Sequence, residues 1–332
     1  MAESKSRQIT VAVEAGDALS FRADVLALKY AQALYGADNA VVERLSKSGQ
    51  DIVGLLPKVA GFRLIDSHGQ IGAQSVLFVG VKPLHQFEYP EIREFARKVL
   101  VSLAGARPTT KHVCLTIHGP GYGLDERESF EAEVAGLLDA IATGDFPEEL
   151  DTITMIERNR ARADRLSDFL SRLVPHGKVD VDGKGHLESL GERPAERLRA
   201  AGYASASKPN VFVAMPFTKE MEDTFHYGIQ GAVNAAGYLC ERADQSVFTG
   251  DVIQWVKKRI ACASLIIADL STANPNVYLE VGYAWGCGKP TVLLVRDATE
   301  LKFDVKVYTN IKDLEDNLRR ELQTLRESPI EV

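Results

Sequence analysis

The stretch DLSTANPNVYLEVGYAWGCGKP, Asp269 to Pro290, carries two acids, Asp269 and Glu280, on either side of an Asn-Pro-Asn turn. Glu280 stands among Val, Tyr, Leu, Gly and Ala, where a charged carboxylate is costly to bury. A carboxylate held in such a place is suited to facing a positive charge that develops during a reaction. A second acid can protonate or position a leaving group. Asp269 also has a plainer reading, because Asp side chains commonly close the turn they begin. Asn274 and Asn276, flanking Pro275, are ordinary turn residues when taken alone. A second stretch, GPGYG at 119–123, follows an apolar run and precedes a long helical pattern. Its glycines let backbone N–H groups approach an anion, and a helix start adds the positive end of its dipole. The same composition serves a bland strand-to-helix turn, so spacing leaves both readings open.

Such residues act only if a sheet positions them. Strand patterns at 8–13, 23–30, 75–81, 112–118 and 151–157 alternate with helical ones at 38–49, 90–106, 126–144 and 161–174. A polar stretch rich in Gly, Lys, Glu and Ser follows, and residues 176–208 read as a connector. Strands at 210–217, 238–244, 264–271 and 289–297 then alternate with helices at 220–237, 250–263 and 276–288, and a charged helix at 309–329 ends the pattern. The fold class expected is α/β in two domains: 1–175 a mixed sheet with flanking helices, and 209–332 an open parallel sheet in three layers. Ligands of open α/β sheets bind beyond the carboxyl ends of the strands. That edge carries Met215, Pro216 and Phe217, then Arg242 and Asp244, then Asp269, Asn274 and Asn276. Glu280 lies one turn into the helix that follows, where side chains lean back toward the strand ends and first-turn amides favour an anion. Gly282, Ala284, Gly286 and Gly288 are expected to let this helix pack closely on the sheet. Arg242 and Asp244 are either an ion pair or substrate contacts, and Phe217, Tyr278 and Tyr283 could stack on a flat ring.

The order VFVAMPF, GI-x-x-AV-x-x-AGY, ERAD, IIADLS, NPNVYLEVGYA and GKPTVLL resembles the nucleoside 2-deoxyribosyltransferase-like fold, which is close to TIR domains, over about residues 209–297. That resemblance implies cleavage of an N-glycosidic bond in nucleosides, nucleotides or NAD. Glu280 would attack or stabilise the anomeric carbon, and Asp269 would handle the base or the sugar hydroxyls. The chemistry suits a carboxylate, since breaking a ribosyl–base bond develops positive charge on the sugar. In the amino-terminal half, GDALSFRADVLALKY, LYGADNAVVERLSKSG and VCLTIHGPGYGLDERESFEAEVAGLLDAI resemble macro domains over about residues 8–145. This implies binding of ADP-ribose or a related nucleotide by Gly16, Asp17, Tyr35, Gly36, Gly119, Pro120, Gly121 and Tyr122. Lys29 and Tyr30 stand where macro domains usually place asparagines, so binding is expected rather than hydrolysis of ADP-ribosyl groups.

The bulk numbers bound these readings. A net charge of −7 argues against a general nucleic-acid binder, and no apolar run reaches the ~18–20 residues that span a bilayer. The segment MAESKSRQITVAV lacks an apolar signal core, and Cys114, Cys240, Cys262 and Cys287 are scattered without C-x-x-C spacing. A reduced, cytoplasmic protein with no metal and no bound cofactor is expected, with NAD or a nucleotide as substrate. Paired, the two resemblances look like a ligand-regulated N-glycosidase of bacterial antiphage or stress defence. Its macro-like domain would sense an ADP-ribose-type signal, and its copies would assemble into a homo-oligomer. The alternatives are a transferase or nucleotide hydrolase of salvage metabolism, and a non-catalytic nucleotide-binding module.

Overall fold

Strands covered on both faces read as continuous apolar runs, and the runs VLALKY, SVLFVG, LIIAD and TVLLV are the inner strands of two sheets. A computed structural model describes residues 7–34, 36–83, 86–119, 123–181, 208–242, 252–296, 306–307 and 310–327. The chain forms two compact units, one of Met1–His118 with Arg127–Ala204 and one of Gly119–Glu126 with Ser205–Val332.

The first unit is built on a seven-stranded mixed sheet. Its strands are β1 (Gln8–Ala15), β2 (Val25–Tyr30), β3 (Phe62–Asp66), β4 (Ser75–Gly80), β5 (His112–Thr116), β6 (Thr152–Glu157) and β7 (Lys178–Asp180), in the spatial order β3-β4-β2-β5-β6-β1-β7. The five inner strands are parallel, and β3 and β7 close the two edges antiparallel to β4 and β1. Its helices are α1 (Gly36–Ser46), α2 (Tyr89–Ala106), α3 (Glu126–Thr143) and α4 (Arg160–Leu173). Pro90 and a Glu88/Glu91 capping box start α2, and the Asn159 side chain accepts the Arg162 N–H to start α4. Two edge strands depart from the sequence expectation. β3 exposes most of its residues and so carries little apolar signal. β7 lies inside the stretch read as a connector, where three residues pair with β1 and extend the first unit's sheet.

The second unit carries five parallel strands, β8 (Asn210–Ala214), β9 (Leu239–Arg242), β10 (Leu265–Asp269), β11 (Thr291–Val295) and β12 (Lys306–Val307), in the order β12-β11-β10-β8-β9. The strand order reverses between β8 and β10, the kind of point at which open α/β sheets bind ligands. Lys219–Asp223, Thr224–Ile229 and Gln230–Ala235 run on as one helix, α5, with a π-helical middle. The others are α6 (Val252–Cys262), α7 (Pro275–Gly286) and α8 (Ile311–Glu327). Successive strand residues point to opposite faces. Val211, Val213, Leu265, Ile267, Val292 and Leu294 pack with α5 and α8, whereas Phe212, Ala214, Ile266, Ala268 and Leu293 pack with α6 and α7. Among the described residues no helix is long and apolar enough to cross a membrane.

Candidate functional site

At the carboxyl edge of the second sheet, alternation sorts the candidate residues by face. Met215 belongs to the core beneath α5, and Asp269 follows Leu265 and Ile267 to that same face. Asp269 is fully buried and its Oδ1 accepts the Ser271 N–H at 2.9 Å. Arg242 is 2 % exposed, and its guanidinium lies 4.1 Å from the Phe225 ring centre. It donates to Glu222 Oε1 at 2.7 Å and reaches Met215 Sδ at 3.8 Å. Burial alone would raise Glu222, but hydrogen bonds from His226 and Arg242 together with their charge hold it down to about 2. Arg242 is therefore buried and held from α5 by Glu222. Pro216 is buried and Phe217 is half exposed, while Asp244 lies outside the described residues.

Glu280 sits on the helix that covers the other face. At roughly 100° per residue, Val277, Val281 and Ala284 form the buried side of α7, and Glu280 stands at its border. Asn276, Glu280, Tyr283 and Cys287 follow one another along that flank. No described side chain pairs with the Glu280 carboxyl, and burial pushes it up to about 7. The neighbouring Cys287 side chain raises the Tyr283 hydroxyl above its ordinary value, and the Lys257 ammonium lies 5.6 Å from the Tyr283 ring centre. The Asn274 side chain accepts the Asn276 N–H at 2.9 Å and starts α7 ahead of Pro275, so its role is a cap; Asn276 is exposed. The two acids read together in the sequence thus sit on different elements, Asp269 at the end of β10 and tied to a turn, Glu280 on α7 and unpaired among the described residues. The small residues also divide. Ala284 packs on the sheet, while a Cβ at Gly282 or Gly286 would meet nothing within 4 Å. A helix turns its small residues to all sides, and only those on the apolar stripe meet the core.

In the first unit the carboxyl ends of the parallel strands hold Gly16 and Asp17 after β1 and Gly36 after β2. A Cβ at Gly16 would stand 3.0 Å from Phe21, and the Asp17 carboxylate accepts the Leu19 N–H at 3.1 Å. Gly36 has φ 46° and open space around it. Tyr35 and Pro120, Gly121 and Tyr122 lie outside the described residues. Gly119, with φ 105°, opens the segment Gly119–Glu126, which groups with the second unit. There the Gly123 N–H donates to the Cys240 carbonyl at 2.7 Å, on edge strand β9, and Lys208 pairs with Asp125. An edge strand leaves backbone groups unpaired, and this segment supplies one donor.

Sequence reasoning did not foresee a buried polar group near the same strand ends. Lys29 on β2 pairs with Asp38 of α1 at 2.9 Å, both nearly inaccessible. His118 and Glu133 are likewise buried. The His118 N–H donates to Glu133 Oε2 at 3.2 Å, and Nδ1 lies 3.2 Å from Oε1. Burial, then the Lys29 charge, pushes His118 well below its ordinary value, and burial pushes Glu133 up to about 8. Both are therefore neutral near pH 7. The available signal was a Lys inside the run VLALKY and a Glu on the apolar side of α3 between Phe130 and Leu137. A groove of about 460 Å³ between β3 and α2, lined by Phe62, Arg97, Lys98 and Val101, carries no acid. Among the described residues no cluster of His, Cys, Asp and Glu could hold a metal ion.

No family model matches the sequence, and no curated protein matches it. Among solved structures, the chain is similar to a variant macrodomain of Oceanobacillus iheyensis with ADPR, at 13 % identity and TM-score 0.39, over 49 % of this chain and 92 % of that one. It is also similar to a Trypanosoma brucei macrodomain in complex with ADP, at 14 % identity and TM-score 0.41, over 48 % of this chain and 69 % of that one. A third is the macro domain of ganglioside induced differentiation associated protein 2, at 10 % identity and TM-score 0.40, over 51 % of this chain and 84 % of that one.

Proposed function

We propose that the second unit is an N-glycosidase that cleaves the ribosyl–base bond of NAD or a nucleotide, and that a nucleotide of ADP-ribose type binds the first unit and regulates it. The observation that carries this reading is Glu280, a half-buried carboxyl without a partner among the described residues, on the helix that leaves the carboxyl edge of a parallel sheet. Departure of the base leaves positive charge on the anomeric carbon and its ring oxygen. An ionised Glu280 in a partly desolvated place stabilises that charge more than water does. Water then adds its oxygen to the anomeric carbon and gives up a proton, to solvent where nicotinamide has left neutral or to the departed base of a nucleotide, or Glu280 first forms a covalent ester that water opens in the same way. Either route needs the carboxylate, so turnover rises with pH through about 7 as Glu280 loses its proton.

Regulation requires that the ligand bind the resting and active states with different affinity. The loops at Gly16–Asp17 after β1 and at Gly36 after β2, at the carboxyl ends of parallel strands, are the part of the first unit suited to it. The test is chromatography of base released from NAD, nucleotides and nucleosides by the full chain, with and without ADP-ribose. Glu280→Gln should lower kcat by at least about a hundredfold, the scale of losing one electrostatic stabiliser. Turnover unchanged in that variant would sink the assignment.

A further inference from the structure

Among the described residues, one cation at the carboxyl edge of the second sheet is not engaged by an acid. Arg296 directly follows β11 and is exposed. Its guanidinium contacts Thr224 Oγ1 at 3.3 Å and Met221 Sδ at 3.8 Å, and no carboxylate among the described residues pairs with it. Its backbone N–H donates to Ser271 Oγ at 2.9 Å. The Ser271 hydroxyl accepts in that bond, so its own O–H stays available to donate. Alternation from Val292 and Leu294 places Arg296 on the α5 face, where Thr224 opens the π-helical part of α5. Thr224 is 1 % exposed, so the group that steadies the guanidinium is itself fixed in the core. On the same face Asp269 is buried with Oδ1 given to the Ser271 N–H, and Glu222 is occupied by Arg242 and His226.

The result is a planar fork of N–H donors and a hydroxyl donor at the same end of the sheet. That set suits an anion with several oxygens, and a phosphate above all. We propose that Arg296 and Ser271, with Thr224 holding the guanidinium, bind the phosphate of the substrate and restrict the second unit to phosphorylated nucleotides rather than free nucleosides. This rests on the glycosidase reading for its substrate, but the anion site itself can be observed without turnover.

The test uses the purified full chain with 5′-AMP and adenosine as probes, and amide hydrogen exchange at Ser271 and Thr224–Ile229 as the readout. This readout is specific to the second unit. Slower exchange with 5′-AMP but not with adenosine is expected. Arg296→Gln should weaken the 5′-AMP effect by roughly ten- to a hundredfold in apparent Kd, the value of a charge-assisted hydrogen bond. Arg296→Lys, which keeps the charge but loses the fork, should fall between. Equal protection by adenosine, or a 5′-AMP effect unchanged in Arg296→Gln, overturns the proposal. Protection that persists while no base is released from any substrate leaves the anion site standing and removes the glycosidase reading. Base release at equal kcat/KM from adenosine and 5′-AMP, unaltered in Arg296→Gln, does the reverse.

Discussion

A carboxyl group with no partner, kept partly out of water, costs folding free energy whenever it is ionised. Glu280, with no partner among the described residues, is such a group, and the sign of its effect follows from its shift. Its folded pKa of about 7 lies above the ordinary 4.5, so the fold is favoured while the side chain is protonated and loses stability as pH rises through about 7. Glu280→Gln should therefore stabilise the second unit at pH 8 by on the order of 1–2 kcal/mol, after allowance for solvent screening of a half-buried group, and by little at pH 5. Both tryptophans, Trp255 and Trp285, belong to the second unit, so urea unfolding followed by their fluorescence reads this difference. Equal stability of variant and wild type at both pH values would mean that the carboxyl is not desolvated. A site that is less stable for the sake of its chemistry fits the usual opposition of stability and activity. The position of Glu280 was legible because its apolar neighbours follow a helical period. The pairing of Arg242 with Glu222 was not, because Glu222 lies twenty residues away on another element and only the register of α5 brings the two together. The contacts of Arg296 were not legible for the same reason, since Thr224 and Ser271 come from α5 and the turn after β10.

At the scale of elements, close helix packing rather than propensity decides where glycine is required. Gly136 on α3 faces α2, and a Cβ there would stand 2.0 Å from the Arg93 carbonyl oxygen, a backbone atom that cannot turn aside. Arg93 and Asp139 fasten the same two helices through a two-pronged ion pair, with contacts of 2.7 and 2.9 Å. Gly136→Ala should therefore destabilise the first unit by roughly 1–3 kcal/mol through overpacking, despite the better helix propensity of alanine. Urea titration followed by far-UV circular dichroism reads it, and a variant as stable as wild type would show that α2 and α3 can separate freely. The contrast with Gly282 and Gly286 is instructive, since no sequence pattern distinguishes a glycine at a crossing from one facing open space. The inner strands β2, β4, β10 and β11 were legible because burial on both faces writes an unbroken apolar run. Strands β3, β7 and β12 were not, being short or exposed at sheet edges where pairing needs no apolar sequence.

At the scale of the whole molecule, the two units answer to pH through different groups, and the first unit's response follows from its buried pair. Glu133 is raised from 4.5 to about 8, so its contribution is complete below pH 4.5 and is lost as pH climbs through about 8. His118 is depressed below 6.5, so the unfolded chain takes up a proton there that the fold refuses, and stability falls as pH drops below 6.5. Between 4.5 and 6.5 the folded state carries its proton on Glu133 and the unfolded state on His118, and the two slopes cancel. Above 6.5 only the Glu133 slope remains, at up to about 1.4 kcal/mol per pH unit until about 8. Lys29 and Arg162, the cations that act on Glu133, oppose its rise, and Asp38, itself raised by burial, spends its charge on Lys29. Glu133→Gln keeps the shape and removes the ionisation, so it should abolish the decline above pH 6.5 and leave a loss only on the acid side. Global amide exchange of β5 and β6 from pH 6 to 8.5, corrected for the intrinsic rate, follows the first unit apart from the tryptophans of the second. A wild-type chain whose β5 and β6 protection does not change across that range, or a Glu133→Gln chain that still loses protection toward pH 8.5, would place the proton elsewhere than on Glu133.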